Sequence, residues 1–306
     1  MNSKERILCA CRVCGNAGIS YLCDTFNEHS QTTVLSHYKC SHCGSVFVGN
    51  DVDGDELGIA YSTLDSGAYY AEIESENRKK MATAIRHLQT LGDRDTAIID
   101  IGAGNGLFTE LLHKAGFGNV SAHEIQGSDL SKIAGIARHI YQDFDYSTIP
   151  SGQFEAVTLM DVAEHVLNPG YLFKTCCRIL KTDGIVYIHT PVVTWTDRFM
   201  HMLLRFPGLK KIGKIWQRGR TSIFHLQNYT PKSLKLTLEA AGFHDVRVDV
   251  KNELSWPLTR YVRTYLLEKQ GLPGFLAPLF APFFYPLLAT DTFNANKAIV
   301  SARKAR

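Results

Sequence analysis

The chain has 306 residues, 45% of them hydrophobic, and a formal net charge of +3 at pH 7. This length supports a large buried core, while so small a charge does not favour nucleic acid as a partner. The amino-terminal residues MNSKERILCACRVCG contain no apolar stretch long enough for a signal peptide, so we expect a cytoplasmic protein with reduced thiols.

Four of the eight cysteines form two close pairs near the amino terminus. Cys11 and Cys14 precede a glycine in CRVCG, and Cys40 and Cys43 precede a glycine in CSHCG. Two such turns direct four thiolates to one point, and a closed tetrahedral site of this kind is typical of structural zinc. We therefore predict a zinc-ribbon-like domain at residues 1–60. A rubredoxin-like iron site and chance pairs of buried thiols are the alternatives.

Helices and strands alternate through the rest of the chain. Apolar residues at helical spacing predict a helical linker at 61–94. The alternation beyond it predicts a mostly parallel sheet with helices on both faces. The predicted strands are 96–102, 119–125, 154–162, 185–191, 244–250 and an edge strand at 294–304, and the predicted helices are 107–116, 128–139, 169–184 and 230–242. Two segments, 194–224 and 254–290, are too long for ordinary connections and are treated as insertions.

The loop after the first strand of this sheet carries three glycines in IIDIGAGNGLF. In an open parallel sheet such a loop is the expected ligand site. It lacks the Gly-Lys-Ser/Thr of a Walker loop, and a dinucleotide fingerprint would require Gly or Ala at position 107, which is Leu. The carboxylate of Asp100 would repel a pyrophosphate but suits the sulfonium and ammonium groups of S-adenosylmethionine.

Further acids follow at the spacing that such a cofactor requires. Glu124 ends the next strand, where a carboxylate accepts both ribose hydroxyls. Asp143 is placed to accept a hydrogen bond from an adenine amino group, with Phe144 beside the ring.

These residues, with MDVAEHVLNP and HLQNYTPKSLKLTLEAAGF, resemble the class I S-adenosylmethionine-dependent methyltransferases over residues 95–250, in the broad group with a D-V-x-E-H-x-x-x-P segment. The resemblance implies a Rossmann-like α/β fold with a mostly parallel seven-stranded sheet in a methyltransferase domain at 95–306. It also implies a site in which the methionine part lies at Asp100, Gly102, Gly104 and Gly106, the ribose at Glu124 and the adenine at Asp143 and Phe144. Asp161 is expected to border the cofactor.

The segment MDVAEHV supplies the candidate catalytic residues. If it opens a helix, Asp161, Glu164 and His165 share one face. His165 and His225 are candidates for the general base that removes a proton from the acceptor. A similar Glu-x-x-Glu-His motif in small-RNA and quinone-ring methyltransferases holds a divalent ion, so a magnesium-like ion at the acceptor is one expectation. The alternative is that Glu164 and His165 only brace the strand end.

The two insertions are expected to select the acceptor. The basic and aromatic residues of 194–224 predict either a lid that meets a substrate phosphate or an amphipathic helix with a solvated basic face. The apolar segment 272–289 contains four prolines, which argues against a transmembrane helix. A peripheral contact with the inner face of a membrane, a dimer contact and packing on the core stay open for it.

We expect an enzyme that methylates a small-molecule or glycan-type acceptor, such as a nucleotide sugar or a lipid-linked sugar, on oxygen in preference to carbon. Three alternatives remain. The first is an RNA methyltransferase that grips phosphates with the ribbon and the basic insertion. The second is a sugar C-methyltransferase, and the third is a non-catalytic interaction module.

Overall fold

A computed structural model describes residues 9–26, 34–50, 66–125, 129–220, 225–254, 257–268 and 271–306. Its strands are β1 (Ile19–Phe26), β2 (Val34–Cys40), β3 (Val46–Val48), β4 (Ile98–Ile101), β5 (Val120–Glu124), β6 (Ile140–Gln142), β7 (Phe154–Met160), β8 (Leu180–Pro191), β9 (Gln227–Asn228), β10 (Phe243–Lys251) and β11 (Lys297–Lys304). Its helices are α1 (Ser66–Gln89), α2 (Leu107–Lys114), α3 (Pro169–Ile179), α4 (Trp195–Leu203), α5 (Lys210–Arg220), α6 (Pro231–Ala240), α7 (Leu258–Tyr261), α8 (Ala277–Leu288) and α9 (Asp291–Asn294).

Seven strands form one sheet in the order β10-β11-β8-β7-β4-β5-β6. The pairs β4/β5, β5/β6, β4/β7 and β7/β8 are all parallel. The chain moves outward from β4 through β5 to β6, and then returns to the other side of β4 at β7. The strand order therefore reverses between β4 and β7, and ligands of such sheets bind beyond the carboxyl ends of the strands at this point. The predicted Rossmann-like α/β fold is confirmed.

The core of this sheet is built from apolar side chains of β4 and the helices beside it. All four residues of β4 are buried, as a strand covered on both faces requires. Ile98 packs in one cluster with Leu88 of α1, Leu112 of α2 and Tyr187 of β8. The region predicted as a helical linker is thus one long helix whose inner face belongs to the core.

One prediction about the sheet is wrong, and one strand was missed. The carboxy-terminal strand β11 lies between β10 and β8, not at an edge. Its alternate residues Ala298, Val300 and Ala302 are buried. A period-two pattern shows that a strand has an inner face, but it does not say which neighbours the strand pairs with. The strand β6, which forms one edge of the sheet, was not predicted.

Three predicted helices differ locally from the observed structure. Instead of a helix at 128–139 there is a single 3-10 turn at Ser131–Ile133. Helix α3 ends at Ile179, before the predicted stop at residue 184, because Leu180 is already extended (φ −69°, ψ 143°) and begins β8. The segment that starts at Asp161 is a series of turns, since Asp161 has a left-handed backbone (φ 55°), and the next helix begins only at Pro169.

The chain divides into two compact units. The sheet unit comprises the described residues of 65–190, 234–249 and 299–306. The ribbon unit comprises those of 1–64, 191–233 and 250–298, so both insertions belong to it. The domain limits 1–60, 61–94 and 95–306 stay predictions.

The ribbon unit contains a second sheet, of order β1-β2-β3-β9, whose neighbours are antiparallel. Strand β9 comes from the segment after the first insertion, where Gln227 pairs with Phe47. Helices α4 and α5 pack on each other, and α5 packs on β1. The described part of the 194–224 insertion, which ends at Arg220, thus lies against the ribbon. Its role as a lid stays a prediction. Among the described residues, no helix is long and apolar enough to cross a membrane.

Candidate active site and cysteine cluster

Several backbone amides of the glycine loop at the end of β4 donate hydrogen bonds to backbone carbonyls. Gly102 and Ala103 both donate to the carbonyl of His123, and Gly106 donates to the carbonyl of Ala103. Gly102 and Gly106 have positive φ angles of 72° and 78°. A Cβ on either would lie about 2.5 Å from a neighbouring side chain, Val162 or Ile133. A phosphate-binding loop needs amides that point at the ligand, so these bonds support the exclusion of a Walker or pyrophosphate loop.

The carboxyl group of Asp100 lies beneath this loop and is only 1% exposed. It accepts hydrogen bonds from the hydroxyls of Thr158 on β7 (3.0 Å) and Thr109 on α2 (3.2 Å). Burial raises its pKa to about 7, against the opposing effect of the two hydroxyls. Asp100 therefore links β4 to β7 and to α2. Its contact with the methionine part of the cofactor stays a prediction.

Glu124 completes the loop from the end of β5. One carboxylate oxygen accepts a hydrogen bond from the amide of Gly104 (2.7 Å), and the other accepts from the amide of Ile125 (2.8 Å). The side chain is partly exposed. Each oxygen retains a further lone pair, so the group is fixed in position yet can accept the pair of hydroxyls of a ribose.

The carboxylate of Asp143 is occupied by protein donors. It accepts from the amides of Tyr146 and Thr148, from the hydroxyl of Thr148, and its Oδ1 lies 3.1 Å from the Nε2 of buried His123. These hydrogen bonds lower the pKa of Asp143 against the opposing effect of desolvation. The side chain thus stabilises the 143–148 turn, and Phe144 beside it is 72% exposed. Their adenine contacts stay predictions.

Asp161 meets two residues that the sequence did not single out. Its carboxylate forms an ion pair with Lys80 of α1, and its other oxygen lies 2.9 Å from Nδ1 of His189 on β8. Lys80 is 81 positions away, so no local motif could have revealed it. His189 is a buried polar residue in the apolar run IVYIHTP, and that contrast was a usable signal. The carboxylate of Asp161 thus faces the ammonium group of Lys80.

Glu164 is fully buried in the turns that follow β7. One oxygen accepts from the hydroxyl of Thr190 (2.8 Å), and the other lies 3.9 Å from Nε2 of His165. That second oxygen accepts no hydrogen bond from the part of the chain that is described. The imidazole of His165 is about a quarter exposed. Glu164 and His165 are thus adjacent at the strand end, whereas His225 belongs to the ribbon unit.

The predicted zinc ligands come together in the ribbon unit. The Sγ atoms of Cys11 and Cys43 are 3.7 Å apart, as are those of Cys14 and Cys40, and all four lie within 4.8 Å of one another. Zinc–sulfur bonds of about 2.3 Å in a tetrahedron place the sulfur atoms about 3.8 Å apart. The glycine after each pair has a positive φ angle of 71° or 78°. The cluster has the geometry of a four-thiolate metal site.

A family model described as a methyltransferase domain matches residues 73–248. The ubiquinone biosynthesis O-methyltransferase of Caulobacter vibrioides is 32% identical over 172 residues, which cover 51% of this chain and 64% of that protein. The protein of the same name from Thiobacillus denitrificans is 33% identical over 187 residues, covering 56% of this chain and 75% of the relative. The chain thus spans less than two thirds of the first relative's length.

Among solved structures, the chain resembles a chain of the complex between the Trm112 methyltransferase activator of Haloferax volcanii and a methyltransferase. The TM-score is 0.52 at 13% identity, and the match covers 79% of this chain and 98% of the other. At this identity the likeness concerns the fold alone. The family match begins within α1 and ends within β10, so it leaves the cysteine cluster and the second insertion outside.

Proposed function

Because the chain belongs to the methyltransferase-domain family, as an S-adenosylmethionine-dependent methyltransferase, we propose that it methylates a hydroxyl group of a small molecule. The observation that carries the cofactor part is the carboxylate of Glu124. It is held by two amides beside a glycine loop in which the amides of Gly102, Ala103 and Gly106 already donate to backbone carbonyls. The names of the relatives carry the oxygen part.

In the proposed complex Glu124 accepts the ribose hydroxyls, and the loop at Gly102, Gly104 and Gly106 borders the methionine part. Lys80 of α1 and Asp161, which follows β7, add a pair of opposite charges. A methionine group carries an ammonium and a carboxylate, so each of these side chains has a complementary partner in it. Phe144 offers an exposed ring to the adenine.

S-adenosylmethionine supplies an activated methyl group, so the protein needs mainly to position the acceptor and to remove its proton. We assign the role of general base to the imidazole of His165. Glu164 is proposed as a positioning residue, because one of its carboxylate oxygens lies 3.9 Å from Nε2 of His165 and the other accepts a hydrogen bond from Thr190. His225 is kept as the second candidate for the base.

For the acceptor, the relatives favour a ring hydroxyl of a quinone-type precursor over the nucleotide sugar or lipid-linked sugar expected from the sequence. No finding favours RNA or carbon methylation. The family match and the names of the relatives do not point to the magnesium-like ion expected at the acceptor, which stays a prediction.

The cysteine cluster is proposed to hold structural zinc. Its four thiolates leave no coordination position open for a substrate, so this metal would stabilise the ribbon unit and take no part in methyl transfer.

Isothermal calorimetry tests the cofactor assignment. S-adenosylmethionine should bind to the purified chain and NAD should not, and Glu124→Ala should weaken binding at least about tenfold, the value of one charge-assisted hydrogen bond. Glu239→Ala is the matched control, because that glutamate lies on the surface of α6. If NAD binds and S-adenosylmethionine does not, the proposal fails.

Transfer of a labelled methyl group tests the acceptor. Catechol-type phenols should be methylated, while nucleotide sugars and transcribed RNA should not. His165→Ala should lower kcat by about 100-fold or more with little change in cofactor binding. Label that appears in the sugar or RNA samples would refute the acceptor, and an unchanged kcat would transfer the base role to His225.

A further inference from the structure

Helix α8 of the ribbon unit exposes several of its large side chains, while Phe284 packs against a small core. Ala277 and Ala281 face the small core formed with Val262 and Leu267, and they are 2% and 5% exposed. On the opposite side, Leu279 and Phe283 are 65% and 74% exposed. A helix that serves only to cover a protein core buries its largest side chains, so this arrangement points to a second apolar partner.

The preceding turn extends the same surface. Phe275 is 81% exposed, and together Phe275, Leu279, Phe280 and Phe283 form what we call the α8 face. The chain carries no charged residue from 271 to 290. Exposed apolar area of this kind without charges is unfavourable in water and favourable in the interfacial layer of a bilayer.

Two arginines lie beside the α8 face. A cavity of about 600 Å³ is lined by Thr259, Arg260, Arg263, Thr264, Glu268, Gly274, Phe275, Ala277 and Pro278. Its charged lining is thus two guanidinium groups and one carboxylate. Arg260 and Arg263 are exposed, and Arg263 also contacts Glu268. Guanidinium and hydroxyl groups are the usual donors to phosphate oxygens. The cavity therefore offers a phosphate site next to the apolar surface.

We propose that the α8 face docks on a bilayer of anionic phospholipids, with a lipid phosphate in the cavity at Arg260 and Arg263. The twelve residues of α8 extend about 18 Å, too short to cross a hydrocarbon core of about 30 Å, so the helix lies along the surface. A bilayer is favoured as the occupant because guanidinium groups and an uncharged apolar surface lie side by side, as the phosphates and acyl chains of anionic phospholipids do. This inference does not depend on the proposed methyl acceptor.

Flotation of the full chain with vesicles tests the proposal. Vesicles of phosphatidylglycerol and phosphatidylcholine should bind the chain at least tenfold more tightly than phosphatidylcholine alone. Phe283→Asp should lower this affinity at least tenfold, and Arg260→Gln should remove most of the preference for anionic lipid. The matched control is Phe206→Asp, at an exposed phenylalanine after α4, which should bind as the unchanged chain does.

Several results would overturn the docking surface. One is vesicle binding that Phe206→Asp abolishes and Phe283→Asp leaves intact. Another is sedimentation of a dimer that Phe283→Asp converts to a monomer, which would assign the face to self-association. A third is binding of inorganic phosphate in the absence of any vesicle binding. Because S-adenosylmethionine binding is measured separately by calorimetry, failure of the membrane proposal is distinguishable from failure of the methyltransferase proposal.

Discussion

The buried carboxyl group of Asp100 should make the sheet unit less stable as the pH rises. The pKa of this group is about 7 in the folded protein, against 3.8 for an unperturbed aspartate. Between these two values the unfolded chain releases a proton that the folded chain retains. The stabilising contribution is therefore complete below about pH 4, falls as the pH rises to about 7, and is then lost.

The size of the effect follows from the same two values. At pH 5 the stabilising contribution still to be lost is set by the gap between this pH and the folded pKa of about 7, which is about two pH units. Raising the pH from 5 to 8 should therefore lower the unfolding free energy by about 3 kcal/mol. Asp100→Asn removes the titration while keeping an acceptor for one of the two threonine hydroxyls. The variant should have a lower unfolding free energy than the unchanged chain at pH 5. Between pH 5 and pH 8 the unchanged chain should lose about 3 kcal/mol that the variant does not lose.

Hydrogen exchange of the amides of β4 and β7 is a suitable assay, because it reports the opening of the sheet unit without requiring that both units unfold together. Asp95→Asn is the matched control, since Asp95 is exposed just before β4 and the chemical change is identical. A plot of opening free energy against pH for Asp95→Asn should run parallel to that of the unchanged chain. Parallel curves for Asp100→Asn as well would refute the reasoning, because they would mean that Asp100 is ionised at pH 5.

Three further outcomes are expected. Cys43→Ser should purify with less than half the zinc of Cys23→Ser by elemental analysis, because only Cys43 belongs to the four-thiolate cluster; equal zinc contents would contradict this. Lys80→Met should raise the Kd for S-adenosylmethionine about tenfold in calorimetry, whereas exposed Lys79→Met should not; equal effects would remove Lys80 from the site. Asn168→Ala removes the side-chain cap of α3 and should cost about 1 kcal/mol in urea unfolding, with Asn168→Asp as the control that retains an acceptor; an unchanged midpoint would show that the cap is dispensable.

Local patterns single out candidate site residues that follow one another along the chain. The glycine loop and Glu124 are separated by about twenty residues in a βαβ unit, a spacing that the fold itself imposes. The two cysteine knuckles are likewise complete within short turns, so the thiolate cluster was accessible from spacing alone.

Side-chain partners were harder to predict than positions. Asp100 and Asp143 were expected to face a ligand, but their carboxylates are held by threonine hydroxyls, backbone amides and a histidine. Asp161, Glu164 and His165 were expected on one helical face, but the positive φ of Asp161 starts a turn instead. Hydrogen bonds of this kind depend on residues from other strands, and no periodicity records them.

By itself the sequence determined the alternation of strands and helices, the composition of the glycine loop and the two cysteine pairs, because each depends on neighbours within one element or turn. Tertiary structure decided the rest. It inserted β11 between β8 and β10, brought Lys80 to Asp161, and left Leu279 and Phe283 of α8 exposed, since these features depend on which distant segments pack together.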